Sequence, residues 1–88
     1  MLTLPRLNNI RKTSKPDHML KDIPVIKQSM PELAEHTDDE VISYYSWFNI
    51  EYLGTGWCSF SPRCCAMFRE FLAKQPDLAL AEKYANIN

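Results

Sequence analysis

The stretch Thr37-Asp38-Asp39-Glu40 has the T-x-x-E spacing of a capping box. In such a box the threonine hydroxyl and the glutamate carboxylate each satisfy a backbone amide that a helix start leaves free. Three successive carboxylates also fall in the first turn, at the positive end of the helix dipole. The first glycine downstream is Gly54, with Gly56 close behind. Glycine takes up the left-handed backbone that ends helices, so the spacing predicts a helix over 38–53. A chain this short that commits so much of itself to one helix has to build its core around it.

On that helix Val41, Tyr44, Tyr45, Phe48 and Tyr52 recur at spacings of three and four and project onto one face, which Ile42 and Leu53 widen. That face is the expected core. Trp47 and Ile50 fall on the other side among Ser43, Ser46 and Glu51. The helix therefore has two apolar sides. Either a second helix or the N-terminal segment covers the rear one, or it is a surface for another subunit or a partner, since Trp and Tyr supply the large buried areas typical of interface anchors.

Beyond Gly54 the sequence Gly54-Thr55-Gly56-Trp57-Cys58-Ser59-Phe60 reads as a loop in which Trp57 and Phe60 plug the end of the core. It lacks the glycines and lysine of a phosphate-binding loop. Ser61-Pro62 is an N-cap followed by proline at the first helical position, which starts a second helix running to about Lys74. Cys64, Met67, Phe68, Phe71 and Leu72 form its apolar stripe, opposite Arg63, Arg69, Glu70 and Lys74. Pro76-Asp77 opens a third helix, with Leu80, Tyr84 and Ile87 on one stripe and Leu78, Ala81 and Ala85 beside it. The expected fold is all-α, a small helical domain with helices at about 38–53, 62–74 and 77–86, preceded by an extended or partly helical N-terminal arm.

That arm, residues 1–30, carries six basic and two acidic groups, whereas the body, residues 31–88, carries four basic and nine acidic. Pro5, Pro16 and Pro24 argue against a long helix in the arm. A short one at about 17–22 is compatible with Asp17 after Pro16, and Pro31-Glu32 begins a helical turn through about His36. Leu2, Leu4, Leu7, Ile10, Met19, Leu20, Ile23, Val25 and Ile26 are too many apolar groups for a solvated tail. The arm is expected to lie along its own body or along a neighbour.

Several classes of function find no support. The uncharged run Val41–Ile50 is about half the ~20 apolar residues of a spanning helix, and the N-terminus has no continuous apolar signal region, so a cytoplasmic protein without membrane contact is expected. Cys58, Cys64 and Cys65 are odd in number and lack paired C-x2-C knuckles, which favours three free thiols over a bridge or a zinc site. No cofactor is implied. A thiol with His18 or His36 as base is the one nucleophile pair available, and nothing in the sequence brings them together, so no enzyme is expected. The eight-residue loop Gly54–Ser61 is too long for a helix-turn-helix, and the body's charge opposes phosphate, which leaves the basic arm as the route to nucleic acid.

What remains is a homo-oligomeric binding protein acting by stoichiometric contact, with Tyr44, Trp47, Ile50 and Tyr52 as apolar anchors and Asp38, Asp39 and Glu51 as charge partners for a basic target. In size, in the arm before the capped Thr37–Glu40 helix and in the aromatic run Tyr44-Tyr45-Ser46-Trp47-Phe48, the chain resembles small phage and prophage regulatory proteins of the antirepressor type. The resemblance implies an α-helical inhibitor of a DNA-binding regulator such as a transcriptional repressor. A structural or scaffold subunit of a larger assembly would use the same residues, as would a nucleic-acid-binding protein working through the basic arm.

Overall fold

The computed structural model describes residues 3–7, 17–75 and 77–84. The third helix expected from sequence extends to residue 86, with Ile87 on its stripe; both positions lie outside the described residues, as do part of the basic arm and the side chain of His18. Among the described residues the secondary structure is entirely helical: α1 (Asp17–Leu20), α2 (Ile23–Ser29), a 3-10 turn (Pro31–Leu33), α3 (Asp38–Phe48) continued by a π turn (Asn49–Leu53), α4 (Pro62–Lys74), and a terminal 3-10 helix (Leu78–Tyr84).

α3 begins as its sequence requires. The Thr37 hydroxyl accepts the Glu40 amide at 3.2 Å, and Glu40 Oε1 accepts the Thr37 amide at 2.9 Å. The helix ends on Gly54 at φ 70°, a left-handed backbone that any side chain would strain. α4 also follows its signals, with Ser61 Oγ accepting the Cys64 amide and Pro62 at its first position. Its stripe is inside: Cys64, Phe68, Phe71 and Leu72 are buried.

α3 departs from an ordinary amphipathic helix, because every residue from Glu40 to Asn49 is buried. Its predicted core face meets α2 and α4, and its rear face meets the terminal 3-10 helix. There Trp47 stands edge-on to Phe71, 5.0 Å between ring centres, and lies parallel to Tyr84 at 6.4 Å. Small residues permit the close approach, with the Ser43 hydroxyl donating to the Ala81 carbonyl. The chain thus covers the second apolar side of α3 itself.

Tyr45 is the hub of the front face. Trp57, Phe60, Phe68 and Phe48 surround it with centroid distances of 4.7–5.8 Å, mostly edge to face, and its hydroxyl donates to the Cys58 carbonyl at 2.6 Å. Such pairs contribute about 0.5–1.5 kcal/mol each beyond area burial. Trp57 and Phe60 close that end of the core as expected, held by Asp22, whose carboxylate accepts the Trp57 indole N–H at 3.0 Å and the Phe60 amide at 3.4 Å.

Residues 3–7 of the arm lie on the body of their own chain. Leu4 is buried, its carbonyl faces His36 Nε2 at 3.1 Å, and the Pro5 carbonyl accepts the Tyr44 hydroxyl at 2.7 Å. Glu40 Oε2 takes the Leu7 amide at 2.7 Å, and its carboxylate pairs with Arg6 at 3.1 Å. The capping carboxylate therefore also latches the arm.

Candidate functional site

The residues expected to meet a partner do not form one surface. Tyr44 and Trp47 are removed from solvent, at 0% and 2% exposure, by the arm and by the terminal 3-10 helix. Their expected role as partner anchors is corrected: Tyr44 lies on the core face under residues 3–7 of the arm, and the rear face carrying Trp47 is filled from within the chain. Asp38 and Asp39 stand at the start of α3, Asp38 paired with Lys27 at 3.0 Å. Fourteen and thirteen positions separate them from Tyr52, about 20 Å along a helix. Ile50 is half-buried against the core, and Glu51 and Tyr52 are exposed.

Tyr52 also departs from its expected core position, and the cause is local. The Asn49 side-chain N–H donates to the Tyr45 carbonyl at 2.6 Å, while its Oδ1 accepts the Cys58 amide at 2.8 Å. The Asn49 carbonyl takes the amides of both Gly54 and Thr55. Tied at both ends, the last turn widens into a π turn, a feature frequent at functional positions. The wider turn swings Tyr52 off the core stripe. One ring face still stacks on Phe48, with centroids 5.5 Å apart and planes 17° from parallel, and the residue is 58% exposed.

A cleft opens on each side of this ring. The smaller, about 100 Å³, lies between Tyr52 and the C-terminal half of α4, lined by Met67, Glu70, Phe71, Lys74 and Gln75. The larger, about 380 Å³, runs toward the terminal 3-10 helix, where Leu80, Lys83 and Tyr84 form its far wall and Trp47 its floor. Leu80 is 40% exposed, so the two clefts and the ring between them make one partly apolar groove. Its rim is charged. Lys74 pairs with Glu70 at 2.7 Å, and Glu51 accepts the Tyr84 hydroxyl. That hydrogen bond, with burial and the Glu51 charge, pushes the Tyr84 phenol up to about 12.

Glu51 and Tyr52, named from sequence as partner residues, line this groove, and the sequence does not single out its other walls. Phe71, Leu80 and Tyr84 were read as stripe residues, which they are, yet their edges also reach the surface beside Tyr52. Asn49 was missed outright. The available signal was a lone amide in an otherwise apolar and hydroxyl-bearing run, where burial demands that all its hydrogen bonds be met.

Among the described residues no three His, Cys, Asp or Glu side chains converge as ligands for a metal, and no helix is long and apolar enough to cross a membrane. Cys58 and Cys65 are half-buried and Cys64 is buried, all three as free thiols. Comparison with protein-family models, curated proteins and solved structures yields no match.

Proposed function

We propose that the protein is a non-enzymatic binding module that inhibits a DNA-binding regulator, such as a repressor, by occupying its surface in stoichiometric complex. The observation that carries this reading is Tyr52: a ring stacked on Phe48 at its base, 58% exposed, lining both a small, mainly apolar cleft and a larger, mixed polar and apolar one. Large rings set in partly dry pockets are the usual energetic centres of protein interfaces. The surface around it offers contact area, a tyrosine hydroxyl and flanking carboxylates.

Charge favours a basic partner. The body has nine acidic against four basic groups, and two of those four, Arg69 and Lys74, are held by Glu32 and Glu70. Residues 1–30 offset this surplus to a chain total of −1, so charge supplies a local preference of the body for a basic surface and not a field of the whole molecule. Trp47 is covered by Phe71 and Tyr84, and exposed Tyr52 and Leu80 supply apolar surface for a partner protein.

The test is a mobility-shift titration with regulators that co-purify with the protein from its native host. The expected result is release of a regulator from its operator at equimolar inhibitor, no shift with DNA alone, and loss of release in Tyr52→Ala. Tight, salt-sensitive binding of the isolated protein to duplex DNA would replace this reading with the basic arm as a nucleic-acid contact. Precipitation of the isolated chain unless it is co-expressed with one constant partner would replace it with an assembly subunit.

A further inference from the structure

Two thiols with no part in the groove lie side by side. Cys58 sits in the loop between the π turn and α4, Cys64 in the first turn of α4, and their sulfurs are 3.8 Å apart. A disulfide requires about 2.05 Å, so less than 2 Å of approach separates the two sulfurs from a bond. Both backbones are fixed by other groups. The Cys58 amide donates to Asn49 Oδ1 at 2.8 Å, its carbonyl accepts the Tyr45 hydroxyl at 2.6 Å, and the Cys64 amide donates to Ser61 Oγ at 3.2 Å. The sulfur contact is therefore imposed by the fold. Access is unequal: Cys58 is half-buried at the surface, whereas Cys64 is 7% exposed behind it. Cys65, one residue on, points about 100° away around the helix.

We propose that Cys58 and Cys64 form a dithiol modification site oxidised by low-molecular-weight disulfides, with Cys58 meeting the oxidant and Cys64 resolving it. In the first step the Cys58 thiolate, its proton given to solvent, attacks one sulfur of a disulfide such as oxidised glutathione. That bond breaks, and one glutathione leaves as a thiolate that takes up a proton. The Cys64 thiolate then attacks Cys58 Sγ, forming the internal disulfide and expelling the second glutathione as a thiol. The two protein thiols lose two electrons and two protons, and the oxidant becomes two thiols. Burial and the adjoining Cys64 thiol hold the Cys58 thiol above its ordinary value. The first step therefore accelerates as pH rises through and beyond the usual thiol range. The product staples the loop carrying Trp57 and Phe60 to the start of α4, beneath Tyr45.

The test is thiol mapping of the intact, folded protein after incubation with oxidised glutathione, acid quenching, alkylation of remaining thiols and peptide mass spectrometry. The expected result is a Cys58–Cys64 bridge with Cys65 alkylated, favoured over Cys58–Cys65 by roughly tenfold or more. In concentrated urea that preference should fall to within about twofold, because the two loops differ by a single residue. Cys65→Ser should bridge like the natural chain. Cys64→Ser should stop at one glutathione on Cys58, a product that a merely packing role for Cys64 would not give; where that variant fails to fold by circular dichroism, the map of the natural chain decides. Equal bridge ratios in folded and unfolded protein would overturn the proposal, as would a dominant Cys64–Cys65 or intermolecular bridge, or three alkylated thiols with no bridge.

Discussion

Two buried polar atoms have no hydrogen-bond partner among the described residues, His36 Nδ1 and Ser46 Oγ. Ser46 is fully buried in the middle of α3, where its hydroxyl has lost water without a replacement. Alanine at this position removes the unmet group and is the better helix former. Ser46→Ala is therefore expected to raise unfolding free energy by about 1 kcal/mol, measured by urea denaturation; a loss of stability would show that the hydroxyl is bonded after all. Tyr84 makes the opposite case, a polar group whose partner matters. Its phenol pKa is raised from 10.0 to about 12, first by its hydrogen bond to Glu51. The protonated form is thus favoured in the folded state, so this contribution is fully present below pH 10 and is lost as pH rises toward 12. Stability of the natural chain should fall more steeply over that window than stability of Tyr84→Phe, and identical slopes would remove the Tyr84–Glu51 bond from the account.

At the level of elements, Glu40 joins two jobs, capping α3 and latching the arm. Burial alone would raise its pKa, but the amides of Thr37 and Leu7 and the Arg6 guanidinium outweigh burial and hold it below the usual 4.5. The stability this supplies is present above pH 4.5 and disappears as pH falls through the lowered value. The protection factor of the Leu7 amide should fall as pH drops below 4.5, ahead of protection in α4, and Glu40→Gln should lose about 1–2 kcal/mol at neutral pH and release the arm. Exchange at Leu7 that tracks global unfolding at every pH would show the arm and body to be one unit. The same elements mark how far the sequence could be read. α3 and α4 were legible because caps, stripes and stops are local: Thr37 with Glu40, Ser61 with Pro62, Gly54 at the end. The cover over Trp47 was not, because it depends on Phe71, Ala81 and Tyr84 returning from 24 to 37 positions away. Nor was the π turn, since Asn49 widens it through a bond to Cys58 that no helical period encodes. The third helix was placed correctly but expected as a longer α-helix; its described part is the 3-10 stretch Leu78–Tyr84.

For the whole molecule, one long helix is wrapped on every side by shorter pieces of the same chain, and the wrapping decides what stays outside. Tyr44 was legible as a core residue from its stripe, but Trp47 was not legible as a buried one, because a second apolar side on a helix looks alike whether the chain or a partner covers it. Tyr52 reaches the surface where the π turn shifts it off the core stripe, beside Glu51 of the polar side, and the groove next to them lies between α4 and the 3-10 stretch Leu78–Tyr84. The most direct measurement of the central claim places a photo-crosslinking phenylalanine analogue at position 52, and in parallel at Lys21 and Arg63 outside the groove, in the native host. The account predicts one discrete heterologous adduct at position 52, containing a DNA-binding regulator, and none at the other two positions. Equal adducts at all three positions, or none at 52, would contradict it.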